Sequence, residues 1–195
     1  FSDLKLIFLT YVNRSGSTYL AHLLNNHEDV LSFPESDVLV EYFLTKPSEE
    51  FHYSNEIHNL LRKKINEDYK SQAWNISDSD LSGLENVQNH FEAFVYFLEL
   101  YRNKIKPGAN TFLFKAERLM YLFQNIPEIY INYYSIRIMA ILRDCRAVYY
   151  SQKMTCFPSS TRKMSVNPIQ TAVQWSKFVK SALNNSEVII VAYED

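Results

Sequence analysis

Five consecutive residues near the start of the chain are suited to binding an anion: Arg14, Ser15, Gly16, Ser17 and Thr18. They follow an apolar run that predicts a buried strand, and they precede leucines at helical spacing. Backbone N–H groups at such a helix start point to the same spot as the positive end of the helix dipole. Gly16 lets the backbone approach a ligand closely, and the hydroxyl and guanidinium groups add further donors. The pattern therefore predicts an anion site at a strand–helix junction.

The loop differs from the nucleoside-triphosphate P-loop, G-x-x-x-x-G-K-[ST], at both diagnostic positions. Aligning Gly16 with the second glycine places Ser17 where the lysine stands and Tyr11 where the first glycine stands. The cation is instead Arg14, which lies ahead of the glycine. Such a loop suits one phosphate that carries a terminal sulfuryl group better than a β- and γ-phosphate pair with Mg²⁺. A P-loop kinase or NTPase stays as an alternative within the same fold class.

Apolar runs and helical patterns alternate along the chain, which predicts an α/β fold with a central parallel sheet flanked by helices. The predicted strands cover residues 4–12, 30–33, 111–115, 137–143 and 188–195. In such sheets ligands bind at the carboxyl ends of the strands, so the residues just after each strand are the candidates for chemistry. Ser15 or Ser17 is available as the N-cap of the first helix, and Asp144 as the cap of the helix after the fourth strand.

A length of 195 residues fits one domain. We interpret the helical stretch from about residue 49 to 103 as an insertion that forms a wall of the substrate site, and both chain ends read as truncated. A net charge of −2 provides no basic field for nucleic acid. The five histidines and two cysteines show no metal-ligand spacing, so we expect no metal. No apolar run is long enough for a membrane segment.

Residues 14–18 resemble the 5′-phosphosulfate loop of sulfotransferases that use the activated-sulfate donor PAPS. That loop has the form [KR]-[ST]-G-[ST]-[ST], which the chain matches at every position, and its arginine form is similar to the carbohydrate and bacterial branches. The segment from Arg143 to Ser151 resembles the family's 3′-phosphate motif, roughly R-[DN]-P-[RK]-x-x-x-x-S, with Cys145 in place of the proline. Arg143 leaves the fourth strand, and a helix brings Ser151 round about two turns later, so both can face one phosphate.

The resemblance covers about three quarters of the chain and includes residues 188–195, which look like the family's late strand ending in Tyr-Glu-Asp. It implies a P-loop NTPase-like sulfotransferase fold, PAPS as donor, PAP as product, a hydroxyl of a carbohydrate or small molecule as acceptor, and no metal. It implies a cytoplasmic location for a bacterial protein, or the Golgi lumen if an upstream anchor has been removed. A non-catalytic nucleotide-binding domain is the remaining alternative.

Two carboxylates are candidates for the base that takes the acceptor proton. Glu35 follows the second strand, about where carbohydrate-type sulfotransferases have a glutamate, and it is our first choice. Glu117 is the rival, because the resemblance aligns it with the histidine of a Lys-Thr-His segment in cytosolic sulfotransferases. The same alignment makes Lys115 a cation near the bridging oxygen, and Arg118 is an alternative carrier of part of that role.

The acceptor pocket is expected between the helical middle of the chain and the loop at 155–167. Phe91, Tyr96 and Phe157 lie in these regions. Such aromatic residues are more often part of the core, and stacking on a sugar or another ring is the alternative.

Overall fold

The protein is described from a computed structural model, which covers residues 4–117, 119–157, 161–165 and 167–194. The described residues form five strands: β1 (Lys5–Tyr11), β2 (Val30–Ser32), β3 (Thr111–Lys115), β4 (Arg137–Leu142) and β5 (Val188–Ala192). They build one sheet in the order β2–β3–β1–β4–β5, and every neighbouring pair is parallel. Each strand lies within its predicted range.

Helices connect the strands. They are α1 (Ser17–Asn25), α2 (Asp37–Leu39), α3 (Asn55–Glu67), α4 (Tyr69–Gln72), α5 (Asp78–Ser82), α6 (His90–Ile105), α7 (Leu119–Leu122), α8 (Glu128–Tyr133), α9 (Cys145–Met154) and α10 (Pro168–Leu183). A π-helical turn, Val40–Leu44, continues α2, and 3₁₀ turns cover Gly83–Asn86 and Phe123–Asn125.

Side chains alternate along the strands between the two faces of the sheet. Phe8 and Phe114 point to one face, where their ring centres lie 6.1 and 4.9 Å from that of Phe94 in α6. Leu9 and Leu113 point to the other face, where they pack with residues of α1. Helices on both faces are what a parallel sheet requires for burial. The predicted α/β fold with a central parallel sheet is therefore confirmed.

The long helix α6 is part of the main core. Its Phe91, Phe94, Phe97 and Leu98 are fully buried, and the side chain of Asn89 caps its start by accepting the N–H of the third following residue at 2.9 Å. Most of α6 lies within the stretch at 49–103, and this helix covers one face of the sheet. The interpretation of the whole stretch as an insertion stays a prediction.

The start of α1 differs from the expectation. Gly16, rather than Ser15 or Ser17, occupies the N-cap position, with a φ of 91° and no side-chain cap. The hydroxyl of Ser15 instead donates to the carbonyl of Val12 at 2.6 Å, because the chain turns back tightly after β1. An uncapped helix start leaves its first N–H groups available to a ligand. The predicted cap of α9 is confirmed, since the carboxylate of Asp144 accepts a backbone N–H at 2.7 Å.

Candidate active site

The loop between β1 and α1 turns through two residues in the left-handed region. Arg14 has a φ of 76° and Gly16 a φ of 91°. Ser15 between them is buried, and both its N–H and its hydroxyl donate to the carbonyl of Val12, at 3.1 and 2.6 Å. Left-handed backbone at a non-glycine residue is uncommon and concentrates at functional sites. The N–H of Ser15 is thus used within the loop, and the N–H groups that suit an anion are those at the start of α1.

The ring of Tyr193 covers this loop. Tyr193 follows β5, and its N–H donates to the carbonyl of Leu142 at 2.8 Å, which continues the pairing of β5 with β4. A Cβ atom placed on Gly16 would overlap with Cε2 of the Tyr193 ring. Glycine is therefore required here both by the left-handed φ and by the close approach of an aromatic ring.

Replacing Gly16 with alanine is expected to lower the free energy of unfolding by about 2 kcal/mol. A left-handed φ costs an alanine roughly 1–2 kcal/mol, and the Tyr193 ring must move to admit the new methyl group. Chemical denaturation measures the loss. Gly108→Ala is the matched control, because a Cβ at Gly108 meets nothing within 4 Å. Equal effects of the two substitutions would contradict this account of the loop.

Arg14 and Arg143 converge on the loop. Nη1 of Arg143 donates to the carbonyl of Arg14 at 3.1 Å, and the Arg143 guanidinium lies 4.5 Å from the ring centre of Tyr193. Nε of Arg14 donates to Oγ of Ser151 at 3.1 Å. Neither guanidinium is ion-paired to a carboxylate of the described residues, and the buried Nε of Arg143 has no hydrogen-bond partner among them. Two such cations side by side, one with an unsatisfied N–H, mark a place for an anion.

The elements that follow β4 hold this arrangement in place. Ser151 reaches the site from the middle of α9. The indole N–H of Trp175 in α10 donates to the carbonyl of Arg143 at 2.8 Å, and Nε2 of Gln152 donates to the carbonyl of Asn13 at 2.9 Å. The two motifs predicted from the sequence are thus brought together at one edge of the sheet.

Glu35 lies beside the loop and is held by groups from three elements. The hydroxyl of Tyr11, at the end of β1, donates to Oε1 at 2.7 Å, and the ammonium of Lys115, at the end of β3, donates to the same oxygen at 2.6 Å. The ammonium of Lys70, in α4, lies 3.2 Å from Oε2. Lys115 also donates to Oγ1 of Thr18 at 3.1 Å. One ammonium therefore joins the carboxylate to the first turn of α1.

Opposing effects set the protonation of this cluster. Burial raises the pKa of Glu35, but the charge and hydrogen bond of Lys115, with help from Tyr11 and Lys70, bring the pKa below its ordinary value. Burial and the neighbouring Glu35 carboxylate raise the pKa of Tyr11. At neutral pH Glu35 is therefore a carboxylate and Tyr11 a neutral phenol that donates to it.

Glu117, the other candidate base, is exposed and lines the cavity in front of Glu35. Nδ2 of Asn13 donates to its Oε2 at 2.8 Å, and its backbone carbonyl accepts from Oγ1 of Thr10 at 3.2 Å. Arg118, the alternative cation, lies outside the described residues. Of the two candidate bases, Glu35 is the one that Lys115 joins to the anion loop.

Two clefts meet at Glu35. The larger, of about 430 Å³, is bounded by the loop, by Arg143 and by Tyr193. The smaller, of about 200 Å³, lies on the other side and is bounded by Asp37 and Glu117. Four residues border both clefts: Tyr11, Asn13, Glu35 and Lys70. A carboxylate at this position can receive a proton from a group in one cleft while an anion reacts in the other.

The three aromatic residues considered for stacking have different environments. Phe157 is 42% exposed and borders the larger cleft. Phe91 is fully buried, and the Tyr96 hydroxyl donates to the carbonyl of Asp80 at 2.8 Å. Phe91 and Tyr96 are therefore packing residues, while the stacking role of Phe157 stays a prediction.

Sequence patterns do not single out three residues of the site: Tyr11, Lys70 and Tyr193. Tyr11 reads as the last residue of an apolar strand, and Lys70 lies in a helical stretch that carries no motif. Tyr193 lies in the late-strand segment that resembles the family. This resemblance is the one sequence feature that draws attention to Tyr193, and it assigns the ring no role.

Helices within the described ranges lack the combined length and apolar character that would let one cross a membrane. No group of three or more His, Cys, Asp or Glu side chains that could hold a metal ion occurs among the residues that the structure describes. Cys145 and Cys156 are free thiols.

Comparisons with known proteins agree with this architecture. A sequence profile described as "Sulfotransferase family" matches residues 7–195, whereas no curated protein matches the chain significantly. A sulfotransferase domain from the curacin biosynthetic pathway is 18% identical, with a TM-score of 0.54, over 98% of this chain and 68% of that domain. A sulfotransferase domain from the Synechococcus PCC 7002 olefin synthase is 17% identical, with a TM-score of 0.55, over 98% of this chain and 66% of that domain.

A sulfotransferase from Alicyclobacillus acidocaldarius is 15% identical, with a TM-score of 0.50, over 96% of this chain and 72% of that protein. At these identities the structural likeness establishes the fold, and the chain spans about two thirds of the length of the two domains. The profile match, by contrast, extends over nearly the whole chain. Its residues and its fold thus lead to the same conclusion: the chain belongs to the sulfotransferase family.

Proposed function

We propose that this chain is a PAPS-dependent sulfotransferase that transfers a sulfuryl group to a hydroxyl of a carbohydrate or small-molecule acceptor. Family membership and fold support sulfuryl transfer in general. The observation that carries the finer proposal is the meeting of two clefts at Glu35, one of them lined by the left-handed loop and two arginines. The loop suits an anionic donor, and Glu35 suits the proton of an acceptor.

Donor binding follows from the groups around the larger cleft. The N–H groups at the start of α1, the hydroxyls of Ser17 and Thr18 and the guanidinium of Arg14 would hold the 5′-phosphosulfate. Ser15 supports the loop from behind through its two bonds to Val12. Arg143 and Ser151 would hold the 3′-phosphate, and the unsatisfied Nε of Arg143 is a donor available for it.

The reaction is an in-line displacement at sulfur. The acceptor oxygen forms a new S–O bond, the S–O bond to the 5′-phosphate breaks, and PAP leaves with the electron pair of that bond. Lys115 and Arg14 would stabilise the charge that develops on the leaving phosphate. The acceptor proton passes to Glu35 and then to water. The products are a sulfate ester, PAP and one proton.

A carboxylate with a lowered pKa suffices as the base for this step. Phosphoryl transfer proceeds through a loose transition state in which the attacking oxygen has formed little bond, and sulfuryl transfer is analogous. The acceptor hydroxyl therefore becomes acidic only late, when a weak base can take its proton. Glu117 would then serve the acceptor side of the smaller cleft, where it lies with Asn13.

Binding of PAP, measured by calorimetry, tests the donor half of the proposal. We expect one saturable site whose affinity falls with added salt, because the contacts are ionic. Adenosine 5′-monophosphate should bind more weakly than PAP, because it lacks the 3′-phosphate. A folded protein that does not bind PAP, or that binds ATP with Mg²⁺ in preference, would contradict the proposal. An acceptor screen with labelled PAPS then identifies the sulfated product.

A further inference from the structure

Lys70 is a cation of the site that lies on a helix, whereas Arg14, Lys115 and Arg143 lie at or just after the ends of strands. It lies in α4, its side chain is about a quarter exposed, and its ammonium lies 3.2 Å from Oε2 of Glu35 and 3.2 Å from Oδ2 of Asp37. Lys115 and Tyr11 donate to the other oxygen of Glu35. Each carboxylate oxygen of Glu35 therefore has its own cation, and the two cations belong to different elements.

A chain of hydrogen bonds, buried at its two serines, fixes α4 against the segment that carries Glu35. Asp68 caps α4 by accepting the N–H groups of Lys70 and Ser71, at 3.1 and 3.3 Å, and it also accepts the hydroxyl of Ser71. The hydroxyl oxygens of Ser71 and Ser36 lie 2.6 Å apart, and both residues are buried. Because the proton of Ser71 goes to Asp68, Ser36 must donate to Ser71.

The same chain ends at the helix that follows Glu35. Oγ of Ser36 accepts the N–H of Leu39 at 3.1 Å and so caps α2. Glu35 precedes Ser36, and Lys70 precedes Ser71. The two partners of the ion pair are therefore neighbours of the two serines that join their elements. Buried polar groups satisfied in this way hold a geometry more firmly than an exposed ion pair does.

From this geometry we infer that Lys70 is a positioning residue for the reaction: it holds Oε2 of Glu35 so that the carboxylate stays aimed between the two clefts. The inference rests on the proposed function, in which Glu35 is the base. The inference assigns the helical stretch at 49–103, which we interpret as a wall of the substrate site, a second role in positioning the base. A displacement of about 1 Å at a reacting group can cost roughly 100-fold in rate, so loss of Lys70 should lower turnover more than it changes the affinity for PAP.

Several charged and titratable groups face Glu35, and the test must separate Lys70 from the others. They come from β1, α2, the turn after α2, α4 and the end of β3, and they are Tyr11, Asp37, Glu41, Lys70, Lys115 and Glu117. Lys70→Met removes one cation and keeps the apolar stem of the side chain. Lys63→Met is the matched control, because Lys63 is a 71% exposed lysine of the neighbouring α3 that pairs with Glu67 at 3.9 Å.

The experiment is a pH titration of the Glu35 carboxyl by ¹³C NMR in protein labelled at the glutamate carboxyl carbon, with Glu35→Gln to assign the signal. In the wild-type protein Glu35 should titrate below the ordinary pKa of a glutamate. Its midpoint should move to higher pH in Lys70→Met, stay unchanged in Lys63→Met, and stay near the wild-type position in Lys70→Arg. Lys70→Gln, which keeps a donor without the charge, replaces Lys70→Met if that variant does not fold.

The outcomes distinguish the inference from the proposed function. If the wild-type protein binds PAP but Glu35 titrates identically in the wild type and in Lys70→Met, the positioning role is wrong. A midpoint that moves equally in Lys63→Met also overturns it. If neither the wild-type protein nor any variant binds PAP, the proposed function fails. A shift of the Glu35 midpoint confined to Lys70→Met would still establish the contact between Lys70 and Glu35.

Discussion

Arg143→Ala is expected to weaken the binding of PAP by roughly 30- to 150-fold. A hydrogen bond to a charged group contributes about 2–3 kcal/mol, and each 1.4 kcal/mol is a factor of about ten in Kd. In the structure the guanidinium lies on the Tyr193 ring with a buried Nε that lacks a partner among the described residues. A 3′-phosphate would satisfy that donor. Calorimetry with PAP measures the loss.

A second nucleotide separates the two roles that Arg143 could have. If it binds the 3′-phosphate, Arg143→Ala should lose the preference for PAP over adenosine 5′-monophosphate and change the affinity for the latter little. If it acts only by holding the loop through the carbonyl of Arg14, both nucleotides should lose affinity equally. Arg146→Ala is the matched control, because its side chain is 92% exposed and pairs with Asp144. A wild-type PAP preference in Arg143→Ala would remove Arg143 from the 3′-phosphate site.

The sheet could be predicted because each strand is a short apolar run bounded by turn residues. In a parallel sheet such strands are buried on both faces, so the run itself is the signal. The start of α1 could not be predicted in the same way. Serine next to a helix start usually reads as the cap, but the turn after β1 needs left-handed backbone at Arg14 and Gly16. The glycine therefore takes the cap position, and Ser15 turns inward to Val12.

The residues of the site also fall into those that the sequence predicts and those that it does not. Arg14 and Arg143 follow strands and Lys115 ends one. Because the carboxyl ends of parallel strands meet at one edge of the sheet, their sequence positions bring these residues together. Lys70 reaches the site through packing. Its helix is joined to the segment after β2 by the bond between Ser36 and Ser71, which are 35 residues apart. No local period or spacing encodes such a contact.

Glu35→Gln is expected to slow sulfuryl transfer by about 10²- to 10⁴-fold while it spares the binding of PAP. A positioned general base contributes about 10²- to 10⁴-fold to the rate, and an amide cannot take the acceptor proton. The substitution also removes the negative charge that Lys115 and Lys70 now contact. Those ammonium groups then favour an anion in the adjoining cleft, so the affinity for PAP should be equal or higher. Product formation from labelled PAPS and calorimetry with PAP measure the two effects.

The pH dependence of the transfer gives an independent measure of the same residue. Because the pKa of Glu35 is lowered, the carboxylate persists as the pH falls to the ordinary glutamate value of 4.5, and activity that needs it should fall only below that value. Glu117→Gln is the comparator, since it changes a carboxylate of the same cavity that Lys115 does not join to the loop. We expect Glu117→Gln to keep most of the turnover and to leave the fall of the rate at acidic pH unchanged. If Glu117→Gln stops the reaction and Glu35→Gln does not, the base is Glu117, and the two cations at Glu35 then serve to hold the loop rather than a reacting carboxylate.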